Sequence, residues 1–269
     1  MVFFPKLVSL VLLIFTTSFL LVNSEKRVSF SISDFTDNKS DVILQGSAKI
    51  SDKGYLALTD PNDSNLLVGH ALYASSVPVW DGATGNVASF ITSFSFTVEN
   101  EGYSDPADGI VFFLAPQDTE IPKNSAGGNL GIVDGNTAFN QFVGVEFDNY
   151  VNSWDPKYSH IGINFNSLMS LKTATWNREN NVLVNVHINY DSLSKTLSVV
   201  LTDANGQLST VSQVLDLKDM LPDTVSVGFS ASTGDSRQVH DIHSWSFTSV
   251  LKTTISSITS NINATASYA

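Results

Sequence analysis

The residues best able to do chemistry are concentrated in one short segment, 145–160. Within it, Val145 and Phe147 alternate with Glu146 and Asp148, which is the period-two pattern of a β-strand. Successive side chains of a strand point to opposite faces, so both carboxylates are expected on one face. Two neighbouring carboxylates on a buried face would repel each other and would be costly to desolvate. A divalent cation bound between them removes both difficulties.

Three further residues of this segment supply ligands that a cation needs. Asn152 and Asp155 offer oxygen atoms from the following loop, and His160 offers an imidazole nitrogen at the start of the next apolar run. Carboxylates with one imidazole suit a transition ion such as manganese, whereas carboxylate, amide and backbone oxygens suit calcium. Two ions therefore fit better than one, with Asp148 and Asp155 able to bridge them. The alternative is that these are ordinary loop acids and a histidine with a structural hydrogen bond.

The same carboxylates must also be tested against an enzymatic interpretation. Glycoside hydrolysis needs paired carboxylates in a cleft, which a strand reading Glu-x-Asp-x-Glu would supply. Here the strand reads Glu146-x-Asp148-x-Tyr150, so the third acid is missing. The sequence also contains no Gly-x-Ser-x-Gly nucleophile elbow and no phosphate-binding loop. These features predict a binding protein rather than an enzyme.

The elements that must position these residues are predicted to be β-strands. Apolar and polar residues alternate in four runs, which are 28–32, 90–98, 182–188 and 245–250. Turn signals separate such runs, and Asn205-Gly206 predicts a type I′ hairpin turn. The one helix that the pattern favours is a short turn at 217–221, which Pro222 ends. Many strands with so little helix predict a single all-β domain, either a sandwich or a barrel.

The two ends of the chain differ from this pattern. Lys6 precedes the apolar run 7–21, and Val22-Asn23-Ser24 follows as a cleavage point. We therefore expect residues 1–24 to be a secretory signal peptide, and we see no other run apolar enough to span a membrane. The segment 253–269 is rich in Ser, Thr and Asn, so we expect it to be disordered or processed.

The composition narrows the range of partners. The chain has a net charge of −12 and no basic run, so we expect it to bind neither nucleic acids nor anionic membranes. It has no cysteine, so burial of apolar groups, including 17 phenylalanines, metal ligation or oligomerisation must hold a secreted fold together. Candidate glycosylation sites are the sequon residues Asn38, Asn62 and Asn263.

The acidic segment resembles the metal-binding signature of the legume lectins. The shared residues are Val-Glu-Phe-Asp, an aromatic residue, an asparagine, Trp-Asp-Pro and His-Ile-Gly-Ile, within 145–163. The resemblance continues in chain order through further runs, which are 28–30, 90–96, 107–113 and 245–249. It implies that residues 25–252 form a legume lectin domain with the jelly-roll sandwich of antiparallel sheets. It also implies a non-enzymatic protein that binds carbohydrates.

By this resemblance, the acidic segment holds two cations. The residues implied to hold Mn2+ or a similar transition ion are Glu146, Asp148, Asp155 and His160, with Ser170 acting through water. The residues implied to hold Ca2+ are Asp148, Asn152, Asp155 and, through its backbone carbonyl, Tyr150. Asn149 stands where many relatives have threonine, and we expect its side chain to point away from the ligands.

The resemblance also implies a sugar site built from four loops. Its members are Asp108, Gly128, Tyr150, Asn152, Asp235 and Ser236. Carboxylate, amide and backbone N–H groups suit sugar hydroxyls, each of which both donates and accepts, and the Tyr150 ring would cover the C–H face of the pyranose. The resemblance further implies a cis peptide bond between Ala107 and Asp108. Asn152 is expected to contact both calcium and the sugar.

The length of the fourth loop indicates the sugar. Five residues separate Gly234 from His240, and this short loop is similar to that of mannose/glucose-binding members. We therefore expect a mannose/glucose-specific lectin. Because Arg237-Gln238 resembles a galactose-binding relative, galactose specificity is the alternative, and a defence or storage protein without sugar binding is another. The expected partners are mono- and oligosaccharides and glycoproteins, the expected state is a homodimer or homotetramer, and the expected location is secreted, vacuolar or in protein bodies.

Overall fold

The computed structural model describes residues 21–60, 66–100, 102, 107–134 and 141–256. Within them lie one α-helical turn, α1 (Leu217–Met220), and two 3-10 turns, at Lys39–Asp41 and Gly127–Asn129. The strands, in chain order, are β1 (Leu21–Ile32), β2 (Val42–Gly46), β3 (Lys49–Ile50), β4 (Leu56–Thr59), β5 (Val68–Tyr73), β6 (Val77–Pro78), β7 (Ser89–Glu99), β8 (Gly109–Pro116), β9 (Val143–Asp148), β10 (His160–Phe165), β11 (Lys172–Thr175), β12 (Val184–Asp191), β13 (Thr196–Thr202), β14 (Leu208–Val214), β15 (Thr224–Ser232) and β16 (Val239–Ser256).

These strands form two antiparallel sheets that pack face to face. One sheet has the order β14-β13-β12-β7-β16-β4-β3, with β1 also paired to β16, and the other has the order β11-β10-β9-β8-β15-β5-β2, with β6 also paired to β15. Strands that are adjacent in a sheet are often distant in sequence, which is the connectivity of a jelly roll. The prediction of an all-β jelly-roll sandwich is confirmed.

Aromatic side chains from both sheets fill the space between them. Phe94 of β7 lies against Phe229 of β15, with ring centroids 4.9 Å apart in an edge-to-face arrangement. Phe229 also packs edge-to-face on Trp245 of β16 at 4.9 Å and on Phe112 of β8 at 5.7 Å. Contacts of this geometry add to the free energy of burial. The alternating pattern of the strands therefore produces a main core between the sheets, to which β9 contributes Phe147. A second, smaller cluster contains Val111 and Phe113 of β8 together with Leu130 and Phe142.

Two short elements, the helix and the β13–β14 turn, test the local sequence patterns. The helix at Leu217–Met220 lies where it was predicted, capped by the Asp216 carboxylate, which accepts from the Lys218 amide. The β13–β14 hairpin also forms, but the type I′ turn is wrong, because only Gly206 of the predicted pair has a positive φ, +76°. The Gly206 amide donates to the Asp203 carbonyl, which gives a type I turn followed by a left-handed glycine, the usual form of a three-residue loop.

The ends of the described chain pair with each other. β1 and β16 align Leu21 with Ser256, so residues 21–24 of the predicted signal peptide lie beside residues 253–256 of the predicted tail. Cleavage of the signal peptide and processing of the tail stay predictions. Residues 1–20 and 257–269 lie outside the described part of the chain. None of the described helices is long and apolar enough to cross a membrane.

We expect Phe229→Ala to lower the free energy of unfolding by about 3–5 kcal/mol, because it opens a cavity among aromatic rings from both sheets. Denaturant unfolding of the metal-loaded protein measures this change. The matched control is Leu193→Ala, since that side chain is 94% exposed and its loss should change the same quantity by less than about 0.5 kcal/mol. A loss of less than about 1 kcal/mol for Phe229→Ala would contradict the described core.

Candidate metal centre and adjoining pocket

Two neighbouring strands bring three potential metal ligands together. β9 and β10 pair so that Asp148 lies opposite His160 and Glu146 lies opposite Gly162. Since alternate residues of a strand share a face, Glu146 and Asp148 lie on the face away from the core, beside His160. One ligand atom from each of the three lies within 4.8 Å of the others, and all three side chains are buried.

The contacts within this cluster are close. His160 Nε2 lies 3.1 Å from Glu146 Oε1, and the Ser170 hydroxyl donates to the same oxygen. A Cβ at Gly162 would lie 2.3 Å from that oxygen and 2.0 Å from Ser170 Oγ, so a larger residue there would displace the cluster. Ser170 therefore contacts a predicted ligand directly, while its contact with an ion through water stays a prediction.

The loop after β9 folds back onto the same cluster. The Tyr150 amide donates to Asp148 Oδ1 at 2.8 Å, and the Asn152 amide donates to Asp155 Oδ2 at 2.7 Å. The Asp155 amide in turn donates to the Asn152 carbonyl at 3.3 Å. These bonds tie the loop to β9, and the Asp155 carboxylate lies close enough to Asp148 and Glu146 for their charges to interact. Ligation of an ion by Asp155 or Asn152 stays a prediction.

The electrostatics of the cluster favour a bound cation. Burial raises the pKa of Asp148 well above its ordinary value, the charges of Glu146 and Asp155 raise it further, and the Tyr150 amide opposes them. Burial likewise raises the pKa of Asp155 to about 6, with the Asn152 amide opposing it. Ionised carboxylates that are buried side by side are unfavourable without a compensating positive charge.

Unpartnered atoms give a second sign that a cation fits here. Glu146 Oε2 and Asn152 Oδ1 are buried, and no described residue forms a hydrogen bond with either. Buried polar atoms are normally paired, so unpartnered oxygens on two of the predicted ligand residues suit metal ligands. The donor set therefore fits the two predicted ions: carboxylates with one imidazole for Mn2+ or a similar ion, and carboxylate, amide and carbonyl oxygens for Ca2+.

A pocket of about 500 Å³ adjoins the metal centre. Its lining consists of Leu66, Ala107, Asp108, Gly127, Gly128, Tyr150, Asn152, Gly234, Asp235 and Ser236. All six residues that were predicted as sugar ligands are among them, although they come from four separate stretches of the chain. The structure thus brings the six together, while their contacts with a sugar stay a prediction.

Asp108 is the buried acid of this pocket. Its amide donates to the Ser232 carbonyl, and its carbonyl accepts from the Asn149 amide at 2.9 Å. The peptide bond before it is cis, as the resemblance implied. Asp108 Oδ2 is buried without a hydrogen-bond partner in the described chain. Burial and, to a smaller extent, the charge of Asp235 together raise the pKa of this carboxyl to about 7.

Another wall of the pocket forms where the backbone of Gly128 packs closely against the side chain of Asn152. A Cβ at Gly128 would lie 2.5 Å from Asn152 Nδ2 and 2.6 Å from its Oδ1, so only glycine allows this loop to reach the asparagine. Tyr150 stands at the rim with 43% of its surface exposed. Carboxylate, amide and aromatic groups thus converge on one space, which is the chemistry that suits a hydroxylated ring.

Some lining residues were not predicted. The exposed Leu66 contributes apolar surface, and its amide donates to the Gly234 carbonyl. Gly127 has a φ of +66° and lies in contact distance of Gly234, which brings two loops together. No sequence pattern marks Leu66, whereas the pair Gly127-Gly128 is itself a signal of an unusual backbone.

Comparisons with known proteins agree with this geometry. The family model described as the legume lectin domain matches residues 27–263. An anti-H(O) lectin of Lotus tetragonolobus is 56% identical over 84% of this chain and 98% of its own length. A galactose-binding lectin of Arachis hypogaea is 48% identical over 90% of this chain and 92% of its own. A solved seed lectin of Lotus tetragonolobus is 57% identical, has a TM-score of 0.81, and covers 84% of this chain and all of that one.

The chain therefore belongs to the legume lectin family. It is a carbohydrate-binding protein and not an enzyme, which confirms that part of the prediction. Legume lectins generally bind Ca2+ and Mn2+, and the cluster of Glu146, Asp148 and His160 is where this chain fits such ions.

We expect the rise in melting temperature on adding Mn2+ and Ca2+ to the metal-stripped protein to be larger at pH 7 than at pH 5. In the fold, the pKa of Asp155 is about 6, above the ordinary value of 3.8. Between pH 3.8 and about 6, the Asp155 carboxyl of the metal-stripped fold keeps a proton that the unfolded chain has lost. Raising the pH through this range therefore lowers the free energy of unfolding of the stripped protein. The cations need the ionised form, so they compensate most at pH 7.

Thermal unfolding in chelator and in metal, at both pH values, measures this difference. The buried His70 and His240 have lowered pKa values, so they make the fold more stable as the pH rises. Both residues are present with and without metal, so their effect cancels in the difference between the two samples. Asp155→Asn should reduce the pH dependence of the gain. A metal-induced rise in melting temperature that is equal at the two pH values, or larger at pH 5, would contradict the assignment of Asp155 as a cation ligand.

Proposed function

We propose that this chain is a metal-dependent lectin that binds the pyranose ring of a neutral sugar in the pocket around Asp108. The observation that carries the proposal is the convergence of three unlike groups on one space of about 500 Å³. These are the unpartnered carboxylate of Asp108, the side-chain amide of Asn152 and the exposed ring of Tyr150. Such a mixture suits hydroxyl groups on one side of a ring and C–H groups on the other.

Each group has a distinct part in this proposal. Asp108 accepts hydrogen bonds from sugar hydroxyls through its unpartnered oxygen. Asn152 donates through Nδ2 to the sugar, while its Oδ1 is directed to calcium, since one amide offers both a donor and an acceptor. The backbone amides of Gly128, Asp235 and Ser236 are further donors. Tyr150 stacks on the apolar face of the ring.

The cations have a structural part in this proposal. When bound, they supply positive charge that compensates the buried carboxylates of Glu146, Asp148 and Asp155. Asn152 and Tyr150 lie on the same loop as these ligands and also line the pocket. Ionised ligands that lack a cation repel one another, so the loop and the pocket wall that it forms depend on metal.

Two observations favour different sugars. The five residues between Gly234 and His240 form a short fourth loop, which supports mannose or glucose. The similarity to a lectin named galactose-binding, at 48% identity, supports galactose. Asp235 and Ser236 of that loop line the pocket in either case. We propose mannose/glucose as the primary specificity and galactose as the second candidate.

The cellular setting is also proposed. The apolar run and cleavage pattern before residue 25 support a secretory route, to the outside, a vacuole or a protein body. Asn38 is the candidate glycosylation site that lies among the described residues, and its Nδ2 donates to Asp41 Oδ2 at 3.1 Å, while Asn62 and Asn263 lie outside them. Assembly as a homodimer or homotetramer would give several weak sites a high combined affinity.

We expect Asp108→Asn to abolish agglutination of red cells while both metals stay bound. The change keeps the size of the side chain but exchanges one acceptor oxygen for a donor, and it leaves the ligand set of Glu146, Asp148 and His160 intact. Agglutination titres and metal content are measured together. Asp37→Asn, an exposed acid outside the pocket, serves as the matched control. Chelator should abolish agglutination by the unaltered protein, and Ca2+ with Mn2+ should restore it. A mutant that still agglutinates would show that the assignment of Asp108 is wrong.

We expect methyl α-mannoside or methyl α-glucoside to inhibit agglutination at lower concentration than methyl α-galactoside, because of the short fourth loop. A titration of the three glycosides, with fucose added, against the same cells measures the order. Stronger inhibition by galactoside would favour the second candidate. If no simple sugar inhibits, the proposed carbohydrate site itself is contradicted.

A further inference from the structure

A buried hydrogen bond joins the metal-binding segment, residues 146–160, to the fourth-loop segment, residues 234–238. Asn149 Nδ2 donates to Gln238 Oε1 at 2.7 Å, and both side chains are buried. Asn149 follows a predicted cation ligand directly, and Gln238 ends the segment that carries two pocket residues. The bond therefore connects the two parts of the molecule that the proposed function needs to coordinate.

Asn149 also holds a third part of the pocket. Its backbone amide donates to the Asp108 carbonyl at 2.9 Å, and its carbonyl accepts from the Ser159 hydroxyl at 3.3 Å. A single residue thus contacts the loop of the buried acid, the metal-binding segment and the fourth-loop segment. Movement of the metal-binding segment must displace at least one of these contacts.

The direction of the hydrogen bonds is fixed from the far end. Arg178 donates to Asn100 Oδ1, and Gln238 Nε2 donates to the same oxygen at 3.1 Å. Because a guanidinium can only donate, Asn100 must present its oxygen and Gln238 must present its NH2 group. The remaining oxygen of Gln238 then requires a donor, which Asn149 supplies.

The chain of bonds is also costly to interrupt. Removing the side-chain amide of Asn149 would leave Gln238 Oε1 buried and unpaired, and an unpaired buried acceptor destabilises the arrangement that buries it. Gln238 is held by Asn100 on its other side and by the Thr59 hydroxyl, which donates to its carbonyl at 2.8 Å, so we expect relief to come from movement of the backbone that precedes it. That backbone is the fourth-loop segment. Asn149 Oδ1 is itself buried without a hydrogen-bond partner among the described residues, so the NH2 group of Asn149 is what joins its side chain to this network.

We infer that the Asn149–Gln238 hydrogen bond is a relay through which cation binding at residues 146–160 fixes the fourth-loop segment of the sugar pocket. Asn149 and Gln238 are positioning residues, since neither lines the pocket and neither is a predicted cation ligand. The inference rests on the proposed function for its effect on sugar affinity. The relay itself is measurable with Mn2+ and Ca2+ alone.

Hydrogen exchange of the full chain, read by mass spectrometry with and without Mn2+ and Ca2+, tests the relay. In the unaltered protein, the metals should slow amide exchange both in 146–160 and in 234–238. In Asn149→Ala, metal should still protect 146–160, whereas 234–238 should exchange roughly tenfold faster than in the metal-loaded unaltered protein. Gln238→Met should do the same, although it also removes the bond to Asn100, whose oxygen still accepts from Arg178. The double variant should differ little from Gln238→Met alone, because the bond shared by the two residues is already broken.

Two controls separate a relay from a general loss of stability. Asn205→Ala removes an amide that bonds Glu179 at an exposed site, and it should leave exchange in 234–238 unchanged. Metal affinity measured by titration should be unaltered in Asn149→Ala. If that variant does not fold, Gln238→Met carries the test, because it leaves the metal-binding segment intact.

The outcomes are distinct. Metal protection of 234–238 that survives in either variant would overturn the relay. So would faster exchange spread evenly over the strands of the core. A protein that shows the relay but binds no sugar would contradict the proposed function and leave the relay standing, because the exchange measurement contains no sugar.

Discussion

The burial of two carboxylates and an imidazole where β9 ends and β10 begins is the constraint on which the rest of this structure depends. Ionised groups without compensation are among the least favourable things a protein can bury. Glu146, Asp148 and His160 therefore demand a partner, and their unpartnered and mutually repelling oxygens show that protein atoms do not fully provide one. The loop through Asn152 and Asp155 brings oxygen atoms to this cluster, and the same loop forms a wall of the pocket.

The same strand supplies the stability that tolerates this cluster. Alternate residues of β9 point into the aromatic core, where Phe147 packs edge-to-face on Phe94 at 5.8 Å. The register of β9 with β10 is held by that apolar face, because a shift by one residue would put Glu146 and Asp148 into the core. The geometry of the predicted cation ligands is thus set by a rigid element, while the residues proposed to contact a sugar are carried on loops that this element anchors.

Sequence reasoning succeeded where the deciding relationships are local. The two acids of β9 could be placed on one face because the period of a strand is two, and His160 follows close behind. The pocket is different, because its walls meet only after folding: Leu66 and Gly234 carry no local sign of their contact. Asp108 and Gly128 were identified by family resemblance alone. The same limit applies to Asn149 and Gln238, which lie 89 positions apart, and no periodicity relates such residues.

The negative charge of the pocket disfavours anionic ligands, whatever the arrangement of their hydroxyl groups. Burial, and after it the negative charge of Asp235, raise the pKa of Asp108 and so oppose its ionisation, in a chain whose net charge is −12. An anionic sugar would add a third negative charge to this space, whereas a neutral sugar brings hydroxyl donors that favour the ionised carboxylate. Discrimination against acidic sugars thus follows from electrostatics common to the whole site. In the proposed function, discrimination among neutral sugars depends on where the fourth-loop segment holds its backbone amides, and the inferred relay assigns that position to Gln238 and Asn149.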